Sequence, residues 1–118
     1  MIQVNDLHFA YGSNSHDTLK GLNFQVDTGE IFGFLGPSGA GKSTTQKILI
    51  GILKNYRGAV QVNGLDLHHL NSEFYESIGV AFETPNLYSK FTALENLEFF
   101  AQFYTNETRN PLELLAAV

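Results

Sequence analysis

Nine residues, Gly36-Pro37-Ser38-Gly39-Ala40-Gly41-Lys42-Ser43-Thr44, constrain the fold of this chain more than any other feature. They follow the pattern G-x-x-x-x-G-K-[ST], whose chemistry requires a strand before it and a helix after it. The preceding run, Ile31-Phe32-Gly33-Phe34-Leu35, is continuously apolar and predicts a strand buried on both faces. The following residues, 41–53, have helical spacing, with Ile48, Leu49 and Ile52 apolar and Gly51 a weak point. The glycines permit a tight loop whose backbone N–H groups converge on an anion, at the positive end of the helix dipole. Lys42 is suited to the β- and γ-phosphates of a nucleotide, and the Ser43 hydroxyl to Mg²⁺. The motif predicts a nucleotide-phosphate site in an α/β fold.

Around this centre the pattern is mainly β on the N-terminal side. Ile2, Val4, Leu7, Phe9 and Tyr11 fall near alternate positions and predict a half-buried strand broken at Asn5-Asp6. Residues 11–15 read as a loop. Leu22, Phe24 and Val26 alternate again and stop at the turn Asp27-Thr28-Gly29. Residues 59–62 predict a short strand, followed by the strong turn signal Asn63-Gly64. Residues 71–77 predict one or two helical turns, and Ile78-Gly79-Val80-Ala81-Phe82 a second buried strand, stopped at Thr84-Pro85-Asn86. Thr92-Ala93-Leu94-Glu95 is a capping box opening a helix to about Tyr104, and a last helical piece follows Pro111.

Composition narrows the class. With 118 residues, 43% hydrophobic and 16% charged, the chain suits one domain and is too apolar to be disordered. Its net charge of −5 argues against a nucleic-acid partner. There is no Cys, hence no disulfide framework or thiolate metal site. No apolar stretch approaches the ~20 residues of a membrane span, and the first residues lack the pattern of a signal peptide. The Asp-x-x-Gly and Asn-Lys-x-Asp motifs of a GTPase are not found. Only Arg57 and Arg109 could serve the phosphoryl clamp of a nucleotide kinase.

The order of these motifs resembles the ATP-binding subunit of ABC transporters, over essentially the whole chain, with wording most similar to drug- or lipid-export subunits. The resemblance implies a P-loop NTPase core with an N-terminal β subdomain, incomplete at the C-terminus. It implies that Tyr11 stacks on adenine, that residues 36–44 bind the phosphates of ATP, and that Thr44 adds a hydroxyl near the α-phosphate. Glu83 stands where the family's Q-loop presents glutamine, so Ser43 and Glu83 become the candidate Mg²⁺ contacts. Leu94-Glu95-Asn96-Leu97 resembles the helix start of the subdomain that faces the membrane partner. The implied partners are a transmembrane permease subunit and a second ATP-binding subunit, on the cytoplasmic face of the membrane.

The family's signature motif, Walker B aspartate, catalytic glutamate and switch histidine are not found. Residues 1–118 are therefore expected to be the Walker A half of a nucleotide-binding domain, competent to bind Mg·ATP but without the residues for hydrolysis. The apolar, uncapped stretch Leu114-Leu115-Ala116-Ala117-Val118 resembles a cut edge, which leaves an unpaired apolar strand at 31–35 as the expected consequence. The competing reading is a non-catalytic interaction fragment or a complementing half-domain. Blander readings stand beside each residue: Tyr11 as a strand-end aromatic, Glu83 as a solvated turn carboxylate, His68 and His69 as surface residues, and the aromatic helix after Thr92 as core. His8 and His16 have no partner at a telling spacing.

Overall fold

The computed structural model describes residues 1–12, 16–84 and 86–118. Ser13, Asn14 and Ser15 of the expected loop, and Pro85 of the expected stop, lie outside the described residues. The chain divides into two compact units, Met1–Phe74 and Tyr75–Val118.

The first unit is built on a four-stranded antiparallel sheet of order β2-β1-β3-β4, with β1 Ile2–Phe9, β2 Leu19–Val26, β3 Arg57–Val62 and β4 Leu65–Asp66. The break foreseen at Asn5-Asp6 is a bulge. Val4 pairs with Phe24 but Leu7 with Leu22, so two residues of β1 oppose one of β2, and Asp6 takes φ 50°. Val4 and Leu7 are an odd number of residues apart, which strict alternation sends to opposite faces; the bulge returns both to the core. The Asp6 N–H, freed from the ladder, donates to Asn23 Oδ1 at 2.9 Å. The β3–β4 hairpin turns through Asn63 (φ 52°) and Gly64 (φ 81°), as the two-residue turn signal requires.

Helix α1, Lys42–Leu49, follows the phosphate loop, and Ile48, Thr44 and Thr45 on it are buried. It is shorter than the 41–53 predicted, because the chain turns at Ile50 into Gly51 with φ 76°. A 3₁₀ turn, Leu67–His69, and helix α2, Ser72–Glu76, contribute buried Leu67 and Phe74.

The two buried strands expected at 31–35 and 78–82 do not form. Residues 31–35 have no regular secondary structure and pair with no strand among the described residues. Phe32 and Phe34 lie on one side against Phe24, with ring centroids 5.4 and 5.1 Å away, while Ile31 and Leu35 are 99% and 95% exposed. An apolar run identifies residues that need burial; a ladder also needs a neighbouring strand, and none is described. Residues 78–82 behave likewise, with Val80 and Phe82 exposed.

The second unit carries α3, Ala93–Ala101, and α4, Pro111–Ala116. The capping box forms in full: Glu95 N–H donates to Thr92 Oγ1, and Thr92 N–H donates to the Glu95 carboxylate. Buried Asn96 fastens the preceding loop to α3, accepting from Tyr88 N–H at 2.8 Å and donating to Tyr88 O and Thr92 O. Tyr88, Phe91, Phe99, Phe100 and Phe103 form an aromatic cluster in which Tyr88, Phe91, Phe100 and Phe103 stay partly exposed. Glu76 binds the Thr105 hydroxyl and N–H and the Asn106 amide, and these donors hold its carboxyl below its ordinary value.

Candidate nucleotide site

The sequence pattern requires glycine at position 41, and the structure gives the reason. Gly41 has φ 89°, and a Cβ there would lie 2.5 Å from Leu19 Cδ2 and 3.4 Å from Thr18 O. Its carbonyl accepts from Thr45 N–H at 2.8 Å and from the Thr45 hydroxyl at 3.0 Å, which starts α1. The loop is thus packed directly against the start of β2, at the end of α1 where the first-turn N–H groups have no intrahelical partner. Lys42 bends back over the loop, its Nζ donating to Gly36 O and Pro37 O, each at 2.7 Å. Ala40 N–H closes a turn onto Pro37 O at 3.3 Å.

A cleft of about 300 Å³ lies here, lined by Tyr11, Thr18, Ser38, Gly39, Gly41, Lys42, Ser43 and Thr44. Tyr11 is 61% exposed, with its ring edge-on to Phe9 at 4.9 Å and its hydroxyl 3.0 Å from Thr44 Oγ1. An aromatic ring, the Lys42 ammonium and the loop backbone therefore border one cleft. That donor set fits a polyanion attached to a flat ring system. Of the residues singled out from the sequence, Tyr11, Ser38, Gly39, Gly41, Lys42, Ser43 and Thr44 meet in this cleft; Ala40 does not line it, and Gly36 and Pro37 accept from Lys42 through their carbonyls. Thr44 is buried, and its hydroxyl is engaged with Tyr11. Glu83 is exposed and belongs to the second unit.

Two features escaped the sequence reading. Thr18 lines the cleft, although nothing in its own type or spacing marks it. His8, read as lacking a partner, has two carboxylates beside it: Asp6 Oδ1 at 3.0 Å and Asp17 Oδ2 at 3.5 Å. His68 and His69 are exposed, as expected; His68 stacks on Tyr56 at 4.3 Å, and no cluster of metal ligands occurs among the described residues.

Comparison with known proteins decides the family. The ABC transporter family model matches residues 19–117. The chain belongs to the ABC transporter family. It is 49% identical over 118 residues to a fluoroquinolones export ATP-binding protein of Mycobacterium tuberculosis, covering all of this chain and 39% of that protein. It is 34% identical over 113 residues to the bacitracin transport ATP-binding protein BcrA of Bacillus licheniformis, covering 96% of this chain and 36% of the other. The ABC-family chain thus spans about two fifths of the length of these curated relatives.

Among solved structures, an ATP-binding subunit of an ABC transporter superposes with TM-score 0.79 at 34% identity, over 91% of this chain and 44% of that one. The ATP-binding cassette MJ0796, in a dimeric post-hydrolysis state bound to ADP and Pi, superposes with TM-score 0.77 at 28% identity, over 98% and 56%. The fold is that of the ABC-type P-loop NTPases, and the antiparallel sheet described above is its N-terminal β subdomain. No helix of the described residues is long and apolar enough to cross a membrane.

Proposed function

We propose that residues 1–118 are the Walker A half of the nucleotide-binding domain of an ABC exporter's ATP-binding subunit, and that they bind Mg·ATP. The observation that carries this is the convergence of Tyr11 with the loop of residues 38–44 in one cleft at the start of α1. Tyr11 would stack on adenine, the backbone N–H groups of the loop and Lys42 would hold the phosphates, and Ser43 would ligate Mg²⁺. Lys42 Nζ gives two of its three N–H groups to the Gly36 and Pro37 carbonyls, and the third would serve the phosphates. Binding, not turnover, is the activity assigned to these residues; energising export belongs to the complete subunit, working with a permease and a second ATP-binding subunit at the inner face of the membrane.

A second reading, a half-domain that acts by associating with a complementary chain, draws on the exposed apolar residues Ile31 and Leu35 of the first unit and Val80 and Phe82 of the second. Equilibrium binding of a fluorescent ATP analogue, with and without Mg²⁺, separates the two. Binding that Lys42→Ala weakens at least tenfold supports the nucleotide site. No binding by a chain that circular dichroism shows to be folded overturns it in favour of association.

A further inference from the structure

The loop that carries Tyr11 leaves β1 after Phe9 and returns to β2 through Asp17 and Thr18, and its ends are joined where Thr18 N–H donates to Phe9 O at 2.6 Å. Beside that junction, Arg57 Nη2 on β3 donates to Asp17 Oδ2 at 2.9 Å; His8 Nδ1 on β1 lies 3.5 Å from the same oxygen without a hydrogen bond, and its opposite ring nitrogen faces Asp6 Oδ1 at 3.0 Å. Arg57 is paired directly with His8 across β3 and β1, so the sheet fixes the group that holds Asp17.

Asp17 adjoins Thr18, which lines the cleft together with Tyr11 and the phosphate loop. A Cβ at Gly41 would lie 3.4 Å from Thr18 O and 2.5 Å from Leu19 Cδ2, so the start of β2 is in close contact with the loop. Neither Arg57 nor His8 lines the cleft. We propose that Arg57 is a positioning residue that acts through Asp17 to fix Thr18, and with it the part of the cleft that Tyr11 and Thr18 line. Affinity for the nucleoside part of ATP then depends on it, whereas affinity for the phosphates does not. The proposal rests on the nucleotide-binding reading above. Arg57 is 74% exposed at its side chain, so the effect is that of a solvent-screened ion pair, roughly two- to fivefold in affinity.

The test is calorimetric titration of the 118-residue chain with Mg·ATP and, separately, with inorganic tripolyphosphate, for the unsubstituted protein, Arg57→Gln, Arg57→Lys, Asp17→Asn and Lys42→Ala. The expected result is an ATP affinity about threefold lower in Arg57→Gln and Asp17→Asn, tripolyphosphate affinity unchanged in both, and most of the ATP affinity regained in Arg57→Lys. Equal losses for the two ligands, loss of tripolyphosphate binding through misfolding included, assign the residues a merely structural role and overturn the proposal. So does an ATP affinity that none of the three substitutions changes. If Lys42→Ala leaves both ligands bound as before, the nucleotide-site reading falls and the positioning role with it. If Lys42→Ala abolishes binding while Arg57→Gln does not discriminate between the ligands, the positioning role alone falls.

Discussion

Replacing Gly41 by alanine separates two reasons why the phosphate loop needs glycine. The backbone at Gly41 has φ 89°, and an L-residue held in left-handed geometry costs roughly 1–2 kcal/mol. The added methyl also lands 2.5 Å from Leu19 Cδ2, and Leu19 is buried at 5% exposure, so it cannot swing into solvent without losing its packing. Overpacking of this kind costs roughly another 1–3 kcal/mol, for a total of about 2–5 kcal/mol. That is a large share of the ~5–15 kcal/mol that holds an ordinary domain together. Gly39 is the internal control: its φ is 80°, but a Cβ there meets nothing within 4 Å, so Gly39→Ala carries the backbone cost alone. Urea titrations followed by far-ultraviolet circular dichroism, compared at equal m-values, measure both. Gly41→Ala is expected to be the less stable by at least about 1 kcal/mol. Equal stabilities would refute the argument that the loop is packed against the start of β2.

Three further outcomes are expected. Tyr11→Ala weakens ATP binding by the ~1–3 kcal/mol of a base–aromatic stack, whereas Tyr11→Phe keeps the stack and loses only the hydrogen bond to Thr44, in a competition assay with a fluorescent analogue. Thr92→Ala removes the hydroxyl half of the capping box and lowers stability by about 1 kcal/mol, read as a shift in the urea midpoint. The Tyr56 phenol, pushed up to about 12 by burial and then by the Asp66 charge, binds its proton more tightly in the folded chain than in the unfolded one. Stability therefore falls as pH rises from about 10 towards 12, and ultraviolet difference titration finds one late-ionising tyrosine that Tyr56→Phe removes.

Local signals were legible where local chemistry decides the structure. The interruption at Asn5-Asp6 was visible in the sequence as a break in the alternation, though not as the bulge it is, and the turn at Asn63-Gly64 because few other dipeptides accept two positive φ values. The capping box needed only Thr92 and Glu95. The strand status of 31–35 was not legible, because an apolar run states a need for burial without naming a neighbour to hydrogen-bond. Half of that run finds Phe24 and half finds nothing among the described residues. In the site, the loop from Gly36 to Thr44 and Tyr11 were readable from motif and resemblance. Thr18, and the bond from Arg57 to Asp17, were not: Arg57 and Asp17 are 40 residues apart, and only the folded sheet brings them together.

The most direct test of the nucleotide site is a titration of the ¹⁵N-labelled chain with Mg·ATP, followed residue by residue in amide spectra. The account predicts that the largest shifts fall on the N–H groups of residues 38–44, that Tyr11 and Thr18 follow, and that Lys42→Ala abolishes the pattern. Shifts absent from the loop, or centred on the aromatic cluster of α3, would contradict it.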